Sequence, residues 1–97
     1  MAIHIVLINY TNQGIRNVKQ IPKRRKAAFA TAEKLGIKVK EAYMTMGAYD
    51  VVLIAEAPSD EVMAAWSLSV GSQGNIRTQT MRAYSATEID KIFASMK

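Results

Sequence analysis

Residues 3–10 read IHIVLINY, and this stretch decides the fold. Its residues are β-branched or aromatic in type and it ends at the turn-forming TNQG, which marks a strand. Alternation puts Ile3, Ile5 and Leu7 on one side and Val6 and Ile8 on the other, so neither side is polar. A strand of that kind is buried on both faces. Residues 49–57 repeat the pattern, with Val52 and Ile54 alternating against Val51 and Leu53. Two strands of this type belong at the centre of a sheet.

The remaining elements fall around them. After a loop over 11–21, Pro22 suits the first turn of a helix. Phe29, Ala32 and Leu35 then recur at helical spacing until Gly36 ends it. Arg25 lies on that same apolar stripe, either snorkelling at its rim or pointing a cation into a pocket. Residues 37–46 make a second strand, with Lys38 and Lys40 on one face and Ile37, Val39 and Tyr43 on the other. Gly47-Ala48 turns the chain into 49–57. Ser59 caps a helix that carries Asp60 and Glu61 in its first turn, Val62 and Trp66 on its inner face, and Gly71 at its end. A fourth strand spans 75–84. Ser85-Ala86-Thr87-Glu88 is a capping box for a last helix with Ile89, Ile92, Phe93 and Met96 on one side. The order βαββαβ plus a helix predicts a single α+β domain over residues 1–97, ferredoxin-like, with a four-stranded antiparallel sheet in the order 4-1-3-2.

That order has a consequence for two similar stretches, NQGIRN at 12–17 and SQGNIRT at 72–78. One leaves the first strand and the other enters the fourth, so they meet at one end of the sheet. Each supplies a glycine, a glutamine amide and an arginine. Gln13, Gly14, Arg16, Gln73, Gly74 and Arg77 are therefore candidates for the rim of a site for a small anionic or amino-acid-like ligand. The alternative is turn chemistry alone. Neither stretch matches a phosphate-binding glycine motif.

The two helices of this plan cover one face of the sheet. The other, equally apolar, needs a cover. Either a second subunit pairs with it or the last helix folds back across it, and the double-sided central strands favour a homodimer or higher oligomer.

At residues 46–58 the chain reads MGAYDVVLIAEAP. With YTNQGIRN, IPKRRKAA and GSQGNIRTQTMRAY, this resembles the GYD family, named for the stretch seen here in Gly47, Tyr49 and Asp50. The resemblance covers nearly the whole chain and implies a dimeric α+β barrel subunit. It is more distantly similar to the effector-binding domains of leucine-responsive regulators, which dimerise and bind amino acids near subunit contacts. This chain departs from those domains' parent regulators in that its first strand starts at residue 3, so a helix-turn-helix and direct operator reading are not expected. GAYD itself reads as a fold determinant, at the opposite sheet edge from the Gln-Gly loops.

Chemistry is thinly represented. No cysteine is present, which removes disulfides, thiolate nucleophiles and cysteine metal sites. His4 is the sole histidine and reads as an ordinary edge residue. No metal-ligand spacing occurs, Met44-x-Met46 reads as packing, and no catalytic set or cofactor motif can be assembled. One enzymatic alternative remains. The α+β barrel superfamily includes cofactor-independent monooxygenases with an apolar pocket between helices and sheet, which Tyr10, Tyr43, Met44, Trp66 and Met81 would line. The net charge of +5 is uneven, with nine basic groups and only Glu33 acidic over residues 16–40. Lys23-Arg24-Arg25-Lys26 has no interleaved aromatics for base stacking, so nucleic acid is disfavoured against a solvated helix face. No apolar run reaches membrane-spanning length and the start has no leader features. The expectation is a cytoplasmic, oligomeric ligand-binding or assembly module without intrinsic catalysis.

Overall fold

The computed structural model describes all residues, Met1–Lys97. Strand β1 (Ala2–Tyr10) is followed by a short helix α1 (Asn12–Arg16), a single 3-10 turn (Val18–Gln20) and helix α2 (Ile21–Lys34). Then come β2 (Lys38–Met44), β3 (Val51–Ala57), α3 (Asp60–Gly71), β4 (Ile76–Ala83) and α4 (Ala86–Ala94). The strands form one antiparallel sheet in the order β2-β3-β1-β4, the ferredoxin-like arrangement expected from the sequence.

Helices α2 and α3 pack on one face. Val6, Ile8, Leu53, Ala55 and Ala57 from the sheet meet Ala32, Ile37, Met63 and Trp66 there, and these residues are the buried core. Trp66 ties the two helices together by donating from Nε1 to the Ala28 carbonyl at 3.0 Å. The opposite face carries Ile3, Ile5, Leu7, Val52 and Ile54, all only part-buried. The molecule measures 51 × 31 × 19 Å, its thin dimension reflecting two layers and no third.

Two local details differ from the sequence reading. The segment 12–16 is a turn of helix and not an open loop, because Thr11 caps it by accepting from the Gly14 N–H at 3.1 Å. The second strand contains a bulge: Val39 pairs with Ala55 and Glu41 with Ile54, leaving Lys40 extra. Beyond the bulge the alternation inverts. Tyr43 therefore falls in register with Val52, away from Val39, and its hydroxyl donates to Glu41 at 2.9 Å. Of the two covers weighed for the open face, α4 is not one: it does not fold back to bury its apolar side. Its capping box is formed as expected, with Ser85 and Glu88 exchanging backbone bonds. Yet Ile89, Ile92, Phe93 and Met96 all stay exposed, Phe93 at 65% and Met96 at 71%.

Candidate functional site

The two Gln-Gly stretches meet. The Thr11 N–H donates to the Asn75 carbonyl at 3.1 Å, and the Thr11 hydroxyl to the Gly74 carbonyl at 2.6 Å. Gln13 Nε2 bridges to the Gln73 carbonyl at 3.2 Å and to Asn75 Oδ1 at 3.0 Å. Gly14 is buried in the junction. Gly74 has φ +84°, a left-handed backbone that favours glycine. Four of the six candidate rim residues, Gln13, Gly14, Gln73 and Gly74, are thus in one interlocked unit. The arginines behave differently. Arg16 turns back to the Asn12 carbonyl at 3.3 Å. Arg77 is exposed, beside Asn9 in the sheet register, and borders a shallow polar depression with Tyr10, Thr11, Asn12, Gln13 and Gly74.

GAYD lies closer to this junction than its place at the other sheet edge implies. Gly47 has φ +121° and makes the turn. Asp50 Oδ2 then accepts the Tyr10 N–H at 2.9 Å, while the Asp50 N–H donates to the Ile8 carbonyl at 2.9 Å. The Tyr49 hydroxyl crosses the open face to Gln79 at 3.0 Å. The aspartate so fixes the end of β1, one residue before Thr11. Hairpin and junction share the same end of the sheet.

Beneath α2 a cleft opens at the margin of the core. A cavity of about 400 Å³ lies between the helices and the sheet, walled by Val6, Ile8, Leu53, Phe29, Trp66 and Val70. Tyr10, Tyr43 and Met44 also border it, whereas Met81 pairs with Ile5 on the opposite face. Arg24 and Arg25 both reach this cavity. The sequence singled out Arg25 alone; Arg24 is recoverable from the spacing Ile21, Arg24, Ala28, which turns one helix face toward the sheet. Arg24 donates to the Asn17 carbonyl at 2.9 Å and to the Gly14 carbonyl at 3.3 Å. Burial raises the pKa of the Tyr10 phenol above its ordinary value, and Asp50 adds to the rise, with Arg24 and Arg25 opposing.

His4 is not an edge residue. It lies on the core side of a central strand, 3% exposed, with Nε2 3.0 Å from Asp60 Oδ1 and Nδ1 buried without a partner. The signal was available: His4 shares its parity with Val6 and Ile8. Arg82 lies 3.8 Å from Asp60 and donates to Glu88 at 3.2 Å, so this cluster joins the start of α3 to the start of α4.

A one-sided four-stranded sheet with this order and an extra C-terminal helix defines a ferredoxin-like α+β subunit. The GYD domain family model matches residues 4–93, and the chain belongs to that family. Over 90 residues it is 29% identical to a Thermus thermophilus protein named glutamine synthetase and cystathionine beta-lyase binding protein, covering 92% of this chain and 95% of that one. Among solved structures it is similar to FFRP-DM1, with a TM-score of 0.58 at 22% identity over 87% of this chain and all of that one. It is also similar to the leucine response regulatory protein LrpA of Mycobacterium tuberculosis. There the TM-score is 0.57 at 16% identity, over 88% of this chain and 51% of that one. An ACT domain protein of Streptococcus pneumoniae aligns over the whole chain at 14% identity, covering 98% of that protein, with a TM-score of 0.50. The structural likenesses establish the fold. No helix is long and apolar enough to cross a membrane.

Proposed function

We propose that this chain is a small non-catalytic binding module that works in the cytoplasm as a dimer or higher oligomer and attaches to other proteins. One observation carries the reading: two apolar surfaces, the open face of the sheet and the outer side of α4, are left uncovered in the single chain. Exposed apolar area of that extent is characteristic of interaction sites. In this reading two copies place their open faces together, with Ile5 and Ile54 near the centre, and each α4 lays Ile92 and Phe93 on its partner. The name of the Thermus relative, which states binding to two metabolic enzymes, supports a protein as the further partner.

Light scattering and native mass spectrometry of the purified chain test the assembly. Twice the chain mass or a higher multiple is expected at micromolar concentration, and Ile54→Lys reduces it to a monomer that keeps its circular dichroism. A wild-type monomer at that concentration overturns the reading.

A second reading concerns the interlocked loops. Exposed Arg77, beside a depression lined by backbone and amide groups, favours a small acid held at the rim formed with Gln13, Gly14, Arg16, Gln73 and Gly74.

A further inference from the structure

The cavity under α2 has a charge imbalance that the binding-module reading does not use. Its walls are apolar and aromatic, its charged lining groups are Arg24 and Arg25, and no carboxylate lines it. The cavity is open on one side, and about 400 Å³ is the size of a ligand pocket. The Arg24 guanidinium is held in place by two carbonyls, and Arg25 makes no ion pair. The Tyr10 hydroxyl forms no hydrogen bond within the chain, where its backbone N–H alone is bonded, and a phenol is a donor at neutral pH. Guanidinium and phenol donors at the edge of an aromatic slot suit a molecule with a ring and an anionic end.

We propose that this cavity binds an aromatic carboxylate. The ring lies between Phe29 and Trp66 on the helix side and Ile8 and Leu53 on the sheet side. The carboxylate meets Arg25 at the mouth, with Arg24 and the Tyr10 hydroxyl beside it. The site opens on the helix side of the sheet. Pairing of two copies through their other faces leaves it accessible, so the two proposals stand or fall separately.

Trp66 is the single tryptophan of the chain and lines the cavity, so its emission reports occupancy directly. The probes are 3-phenylpropanoate, its neutral amide, and octanoate as a straight-chain acid of similar size, titrated calorimetrically and by Trp66 emission. Phenylpropanoate is expected to saturate, with the amide about ten-fold weaker or more, the scale of one lost charge-assisted bond. Arg25 is exposed, so Arg25→Gln folds; it weakens the acid about ten-fold and leaves the amide unchanged. Equal binding of acid and amide would overturn recognition of the charge. Octanoate binding more tightly than phenylpropanoate would overturn the aromatic slot, and no saturation by any probe would overturn the site. The acid–amide comparison uses the unmodified protein and depends on no variant.

Discussion

Gly14 and Asn75 touch so closely that no side chain fits between them: a Cβ on Gly14 would lie 2.0 Å from the Asn75 carbonyl oxygen. The contact is backbone against backbone, at the point where the end of β1 and the entry to β4 interlock. Gly14→Ala must therefore push the two loops apart. A loss of about 1–3 kcal/mol is expected, as for other overpacked sites, read as a lower denaturation midpoint. An unchanged midpoint would mean that the junction gives way freely.

Asp50→Ala tests the signature aspartate as a fastener. Its carboxylate accepts the Tyr10 N–H, and removing it leaves that donor unpaired at the end of a central strand. Destabilisation of about 1–3 kcal/mol is expected. The Tyr10 phenol should also ionise at lower pH than in the parent protein, because the negative charge opposing its ionisation is gone. Spectrophotometric titration measures this. A stable variant with an unmoved phenol would remove Asp50 from its structural role.

The capping box gives α4 a defined acid sensitivity. The backbone bond from Ser85, followed by the Arg82 guanidinium, holds the Glu88 carboxyl below its ordinary range. A lowered folded-state pKa adds stability that is fully present above the unfolded value and is lost as pH falls through the folded one. Helical signal from α4 should therefore be constant near neutrality and decline at acid pH. Glu88→Gln should flatten that decline, which circular dichroism between neutral and strongly acid pH can check.

Arg77→Ala separates the two readings of the paired loops. If Arg77 holds a small acid, binding of that acid weakens several-fold while the thermal midpoint of the free protein stays nearly unchanged, since Arg77 is exposed. A lowered midpoint with unchanged binding would leave turn chemistry as the whole explanation.

Much of this architecture was legible from hydrophobic alternation. The double-sided runs at Ile3–Ile8 and Val51–Ile54 placed two strands at the sheet centre, and strand order then brought Gln13 and Gln73 together. The bulge at Lys40 was not legible, because a single extra residue leaves no mark in composition and yet reverses the side of every later residue. His4 misleads because nearness to the N-terminus is not nearness to a sheet edge: β1 is flanked on both sides by paired strands. A pocket between helices and sheet was anticipated only through the superfamily resemblance, and its walls at Phe29, Ile8 and Leu53 depend on how the two layers pack. That is a matter of side-chain volume in three dimensions and not of periodicity.

The bulge in β2 also bears on how many copies can join. An outer strand offers unpaired backbone groups to its neighbours, and this sheet has two, β2 and β4. Endless ribbons need both to be adhesive, since each added molecule must present a fresh end. With Lys40 displaced from the ladder and Lys38 beside it, β2 is a poor acceptor. Any edgewise joining is then left to β4 against β4, which consumes the only available end on each molecule and stops at two.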